Sequence, residues 1–187
     1  MKLKIKILLL IMLIASIKSN IKSEIPDNKI HGQPKTEIVN PAQEHLATNI
    51  VRQKIILGIE RLTPLLTYTK RIVLFLPEGE YHELGLLYVH FLLKQKGIYV
   101  DYLGTNVPMV DLKYLTENKN VDFLYCHITM PARNFKLDKF FANLATINQQ
   151  IPIILSGQLI QEYKGKISPN MQLKRSLSET IAFLQDI

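Results

Sequence analysis

A glutamate, a histidine and a glycine within one short segment have the residue types and the spacing for metal chemistry. Glu80 precedes His82 by two residues, and Gly85 follows His82 by three. A carboxylate in this position can hold one ring nitrogen of the histidine, which fixes the tautomer and makes the other nitrogen a better metal ligand. Gly85 leaves room for a bulky group to approach the backbone. The segment therefore predicts one imidazole that is available to a transition metal.

The segment supplies too few ligands for a metal site built from protein alone. Neither a His-x-x-x-His pair nor a carboxylate cluster lies near it in the sequence, and the single cysteine, Cys126, provides neither a thiolate cluster nor an internal disulfide. The phosphate-binding loops of nucleotide enzymes have other glycine and lysine spacings. The pattern favours a metal that a macrocycle already holds and that needs one axial ligand. From the residues alone, the alternative is that His82 is a solvated loop histidine.

The segment lies in a region where short apolar runs alternate with helical stretches, which is typical of a parallel sheet with crossover helices. The pattern predicts an α/β fold, a flavodoxin-like or Rossmann-like doubly wound parallel five-stranded sheet preceded by an N-terminal helical cap. In such sheets the ligand binds outside the carboxyl ends of the strands, at the switch point. Strands are expected over residues 72–76, 99–103, 121–128 and 153–155, with a weaker fifth over 171–173, and helices over 84–96, 109–116, 137–148, near 159, and over 181–184 after a capping box.

The first third of the chain divides by composition. Residues 1–23 are basic and then apolar, like a secretory signal or a truncated helix, but the apolar run over 7–15 is too short for a stable membrane span. A cytoplasmic location is expected, with export as the alternative. Residues 24–39 read as a linker, and residues 40–66 as a helical cap in which Asn40 is the N-cap and Pro41 the first helical residue. Residues 70–187 form the α/β domain.

The distribution of charge argues against direct nucleic-acid binding. The net charge is +7, but residues 1–25 hold five lysines and one glutamate, which leaves 18 basic and 15 acidic side chains for the other 162 residues. A nucleic-acid-binding domain concentrates Lys and Arg on one face, and the sequence contains no such stripe. We therefore predict no direct contact with DNA.

Three motifs resemble those of cobalamin-binding domains. Residues 80–85, Glu-Tyr-His-Glu-Leu-Gly, are similar to the family motif Asp/Glu-x-His-x-x-Gly, whose histidine replaces dimethylbenzimidazole as the lower cobalt ligand. Forty-one residues, 86–126, separate this motif from His-Ile-Thr at 127–129, and twenty-six more, 130–155, separate that segment from Ser156 and Gly157. These intervals match the family motifs Ser-x-Leu/Thr and Gly-Gly, which contact the displaced nucleotide tail. Here His127 stands in place of the serine, and Ser156 in place of the first glycine.

Further segments are similar to the C-terminal half of MerR-type regulators that respond to cobalamin. They are residues 44–49 with Arg52, residues 102–104, and residues 107–112, so that the resemblance covers residues 37–186. It implies that cobalamin, as adenosylcobalamin or methylcobalamin, is the cofactor. The site residues that the resemblance implies are His82 on cobalt, Glu80 orienting its ring, Gly85, Thr129, Ser156 and Gly157 along the nucleotide tail, and Glu44 and His45 near the upper corrin face.

The resemblance implies a cobalamin-binding sensor or regulatory module and no enzyme, because no general base, nucleophile or further substrate pocket is recognisable. The helix-turn-helix of those regulators has no counterpart before residue 37, so a separate DNA-binding or regulatory protein is the expected partner. The capping tryptophan of those regulators aligns with Pro34, and the residue that follows the tryptophan aligns with Lys35. The chain contains no Trp, and these differences argue against light sensing. Two alternatives stay open: a corrinoid carrier for a methyltransferase, with the same ligation by His82, and a cofactor-free interaction domain that kept the fold.

The remaining histidines and the cysteine have simpler expected roles. His127, at a strand end, is expected to be a satisfied buried histidine, although a position beside the nucleotide tail is the alternative. Cys126 lies in an apolar strand, where a free thiol is usually inert packing. His31 and His90 are assigned no function.

Overall fold

The computed structural model describes residues 41–63 and 70–187, and the predictions for residues 1–23, residues 24–39 and Asn40 lie outside this part of the chain. The chain divides into two units, one ending at Gly58 and the other beginning at Ile59. Helix α1, Pro41–Glu60, forms the described part of the first unit and extends two residues into the second. Proline suits the first helical position because its missing N–H would have no partner there.

The second unit is an α/β sheet domain, as the apolar pattern predicts. Its five strands are all parallel and lie in the order β2-β1-β3-β4-β5, so the predicted fold class is confirmed. The elements are β1 Arg71–Pro77, α2 Leu84–Gln95, β2 Tyr99–Val107, α3 Met109–Asn118, β3 Phe123–His127, α4 Leu137–Leu144, β4 Ile153–Ser156, α5 Gln158–Gln161, β5 Met171–Leu173 and α6 Leu177–Asp186.

Both faces of the sheet are covered, because successive strand side chains alternate between two apolar clusters. Leu74 of β1 packs with residues of α2 and α6, whereas its neighbour Phe75 packs with residues of α3 and α4. Burial on both faces explains why the strands read as continuous apolar runs. Side chains that are fully buried in this way, such as these two, each stabilise the fold by about 1.5–3 kcal/mol.

Several element boundaries differ from those predicted. Strand β2 continues to Val107, four residues past the predicted end, because Gly104 and Asn106 take positive φ values of 83° and 56° inside the strand and shift its register against β1. Helix α4 ends at Leu144 instead of residue 148. The Asn148 side chain there accepts a hydrogen bond from the Gln150 N–H, which favours a turn over a further helical turn.

Strand β3 is also shorter than predicted, since it starts at Phe123 and ends at His127. Ile128 still donates its N–H to the Ser156 carbonyl, so the chain stays beside β4 for one more residue. Within residues 41–63 and 70–187, no helix combines the length and the hydrophobicity that crossing a bilayer requires.

Candidate cofactor-binding site

The site lies at the switch point of the sheet, where β1 has β2 on one side and β3 on the other. The loop after β1 is fastened to both neighbours. The Gly79 N–H donates to Asn106 Oδ1 at the end of β2, and the Gly79 carbonyl accepts from the Ala132 N–H after β3, at 2.9 and 3.0 Å. Parallel sheets bind ligands at this place because the loops after two neighbouring strands diverge there.

Glu80 links the two loops through its buried carboxylate, which is 0% exposed. Its Oε1 accepts hydrogen bonds from the Tyr81 and His82 N–H groups, both at 2.9 Å, and lies 2.6 Å from Nδ1 of the His82 ring. Its Oε2 accepts from the N–H groups of Thr129 and Met130, at 2.8 and 2.7 Å. One side chain therefore holds the histidine and positions the backbone after β3.

These hydrogen bonds keep Glu80 ionised. Burial raises the pKa of a carboxyl group, but the donors from His82, Thr129 and Met130 outweigh burial and lower the pKa of Glu80 from 4.5 to about 2. A carboxylate with this pKa is negative throughout the physiological range, and it can only accept hydrogen bonds. Nδ1 of His82 must therefore be the donor in their shared hydrogen bond.

The fixed Nδ1–H has a direct consequence for the other ring nitrogen of His82. In the neutral ring, Nε2 then carries the lone pair, which is the form that ligates a metal. The side chain is 35% exposed, and within the described residues Nε2 has no hydrogen-bond partner. A carboxylate on the other ring nitrogen is a common way to fix the orientation of a metal-ligating histidine. Among residues 41–63 and 70–187 no group of three or more His, Cys, Asp or Glu side chains is arranged to hold a metal ion.

Three exposed apolar side chains follow the carboxyl ends of adjacent strands. Tyr81 after β1, Met130 after β3 and Leu159 after β4 are 63%, 43% and 37% exposed. Large apolar side chains at a ligand-binding edge favour a ligand with apolar surface. These residues were not predicted from the sequence, although each is the first large apolar side chain within a few positions of a predicted strand end.

The structure places Gly85 against the ring of His127, which is hydrogen-bonded to Ser156 as expected for a satisfied buried histidine. A Cβ at Gly85 would lie 2.8 Å from Cδ2 and 2.9 Å from Cε1 of the His127 ring, and nearer still to Nε2. Gly85 is thus needed for the close approach of the protein's own imidazole, and the space that was expected to admit a bulky ligand is filled. Burial lowers the pKa of His127 to about 4, partly offset by the charge of Glu80, so the ring is neutral at physiological pH.

Ser156 anchors the His127 ring from the neighbouring strand. Its hydroxyl lies 2.8 Å from His127 Nδ1 and 2.6 Å from the Tyr125 hydroxyl, and Ser156 itself is 2% exposed. Gly157, the next residue, has φ 106°, and a Cβ there would collide with the Ile128 backbone. The sequence motif after β4 therefore packs against the end of β3.

The other predicted site residues fall in different places. Thr129 reaches the site through its backbone N–H, which donates to Glu80. Glu44 and His45 lie on α1, in the unit that ends at Gly58, and His45 is exposed there. Cys126 is fully buried in β3, and burial raises the pKa of its thiol, as the packing interpretation requires.

Comparison with known proteins identifies a relative among transcription regulators. The chain is 38% identical over 147 residues, or 78% of its length, to the HTH-type transcriptional repressor CarA of Myxococcus xanthus. It spans about half the length of that relative, 51%. No model of a protein family matches the chain.

Solved structures with the same fold have been described as cobalamin proteins. A cobalamin-binding protein from Desulfitobacterium hafniense is similar with a TM-score of 0.50 and 14% identity, over 77% of this chain and 67% of that one. At this level of identity the similarity is one of fold. The monomethylamine corrinoid protein of Methanosarcina barkeri has a TM-score of 0.49 and 11% identity over 80% and 73% of the two chains.

Proposed function

We propose that this domain binds cobalamin base-off, with Nε2 of His82 as the lower ligand of cobalt. The observation that carries the proposal is the hydrogen bond of 2.6 Å between Glu80 and His82 Nδ1, which leaves Nε2 as the ligating nitrogen at the switch point. The resemblance of residues 80–85 to the motif of cobalamin-binding domains is what points to cobalt held in a corrin macrocycle. When bound, the cofactor supplies a cobalt ion with exchangeable axial positions and an upper ligand that can report a signal.

The residues of the site suit an axial ligand better than a catalytic group. Glu80 stays ionised because its pKa is about 2, so it holds the His82 ring in one tautomer and does not take up a proton at neutral pH. Tyr81, Met130 and Leu159, which are exposed after the carboxyl ends of β1, β3 and β4, offer apolar contact to a flat macrocycle. The chain positions His82, and the described residues of the site do not combine an acid, a base and a nucleophile.

The sequence similarity to a transcriptional repressor supports a regulatory role for the proposed cobalamin site. The relative with 38% identity is named a transcriptional repressor. This chain's role would be to sense adenosylcobalamin or methylcobalamin in the cytoplasm and to pass the signal to a separate DNA-binding or regulatory protein. A carrier for a methyltransferase would use the same histidine, and release of a methyl group to a partner enzyme would distinguish it.

The proposal is tested by the absorption spectrum of the protein after incubation with methylcobalamin in the dark and gel filtration. We expect the wild type to elute coloured with a base-off, histidine-ligated spectrum. His82→Ala should elute colourless or with the spectrum of water-ligated cobalt. His90→Ala is the matched control, because that histidine lies on α2 and stacks on Tyr102. Colourless wild type would contradict both the sensor and the carrier and leave the cofactor-free domain.

A further inference from the structure

A second imidazole occupies the crevice beside His82. Gly85 is the second residue of α2, three residues after His82, and His127 is the last residue of β3, two residues before the Thr129 N–H that binds Glu80. The His127 ring lies so close to Gly85 that even a methyl group there would collide with it. The space between the start of α2 and the end of β3 is therefore closed by a side chain of the protein.

The ring that closes the crevice is held in place. His127 Nδ1 is hydrogen-bonded to Ser156 Oγ, which is also bonded to the Tyr125 hydroxyl, and both partners are buried. Rotating the imidazole out would break its hydrogen bond to Ser156 Oγ and its close packing against Gly85. The closed arrangement is thus a feature of the packed fold and not one conformer of a free side chain.

Closure of the crevice matters because of where the cofactor's nucleotide is attached. The nucleotide of cobalamin hangs from the lower side of the corrin, which is the side that His82 would approach. When an imidazole of the protein takes the lower cobalt position, the displaced nucleotide must enter the crevice beside that imidazole or lie outside it. The first path is blocked here by His127.

We propose that this domain recognises the corrin macrocycle alone, so that corrinoids without a nucleotide tail are ligands at least as good as cobalamin. The inference rests on the proposed ligation by His82. Its chemical basis is that a tail without a pocket adds no contact, while displacement of its base from cobalt still costs free energy. Incomplete corrinoids such as cobinamide have no base to displace, which makes them the ligand class that this crevice favours.

The test is a comparison of dissociation constants for methylcobalamin and methylcobinamide, which carry the same upper ligand, by equilibrium dialysis in the dark. We expect the wild type to bind methylcobinamide as tightly as methylcobalamin or more tightly. Tighter binding of methylcobalamin would overturn the inference and leave the proposed ligation intact. Failure of both ligands to bind would overturn the inference together with the proposed function.

Two substitutions at His127 distinguish the effect of closing the crevice from other effects of replacing this residue. His127→Ser opens the crevice and should shift the ratio of the two dissociation constants about tenfold toward methylcobalamin, equivalent to about 1.4 kcal/mol. His127→Leu keeps a side chain of similar volume and should leave the ratio unchanged, as should His90→Ser on the outer part of α2. A folded His127→Ser with the wild-type ratio would overturn the assignment, and circular dichroism reports whether each variant is folded. If His127→Ser does not fold, the two dissociation constants of the wild type still test the inference.

Discussion

Replacement of Glu80 by glutamine tests how much the buried carboxylate contributes. Two of its donors reach Oε2 and three reach Oε1, and all five are satisfied only by a group that accepts at both oxygens. The amide of Glu80→Gln presents an NH2 group to at least two of those N–H donors. The pKa of Glu80, lowered from 4.5 to about 2, corresponds to about 3 kcal/mol of stability from the ionised form at 1.36 kcal/mol per unit.

Because the pKa of Glu80 is lower in the folded state, its contribution to the free energy of unfolding depends on pH. A carboxyl group whose pKa is lower in the folded state stabilises the fold above pH 4.5, its value in the unfolded chain, and loses that effect as the pH falls toward 2. Glu80→Gln should therefore lower the free energy of unfolding by about 3 kcal/mol at pH 7, and the gap to wild type should narrow below pH 4.5.

Urea unfolding followed by circular dichroism from pH 3 to 7 measures both effects. Glu78→Gln is the matched control, since Glu78 is exposed in the same loop and should change stability little. A loss no greater than that of the control at pH 7, or a gap that does not change with pH, would refute the role assigned to the carboxylate.

Three further predictions concern the packing around His127. Gly85→Ala should lower the free energy of unfolding by about 1–3 kcal/mol through overpacking, and the loss should shrink by about 1 kcal/mol or more in a His127→Ala background; equal losses in a double-mutant cycle would contradict the contact. Ser156→Ala should cost about 1–3 kcal/mol because it removes a partner from both Tyr125 and His127, and a neutral result in urea unfolding would speak against that network. Since the pKa of His127 is lowered from 6.5 to about 4, the unfolded chain takes up a proton first as the pH falls. The wild type should then lose up to about 3 kcal/mol between those pH values, and His127→Leu should show a flatter profile of stability against pH.

The fold could be predicted from the sequence because its main determinant is a local pattern. Continuous apolar strands alternating with helices specify a parallel sheet covered on both faces, and four predicted strand positions differ from the observed ones only at their ends. The end of β2 was missed because Gly104 and Asn106 signal a turn, whereas in the structure their positive φ values form irregularities within the strand. Pairing with β1 overrides the local preference there.

The candidate site was only partly accessible from the sequence. The spacing of Glu80 and His82 suggested a contact within a single loop, and such short-range contacts follow from the chain itself. The donors from Thr129 and Met130 come from a loop about fifty residues away, so they depend on the strand order. The contact of His127 with Gly85 is likewise set by tertiary packing, and from the sequence it was read as open space.

Electron paramagnetic resonance of cob(II)alamin bound to the untagged protein tests the ligation of cobalt most directly. With natural nitrogen, a histidine on the axial position splits each cobalt line into a triplet, and labelling all histidines with nitrogen-15 should convert the triplets to doublets. In labelled protein, His82→Ala should abolish the doublets, while His45→Ala should retain them. Triplets that persist in labelled wild-type protein, or doublets that persist without His82, would contradict ligation by this residue.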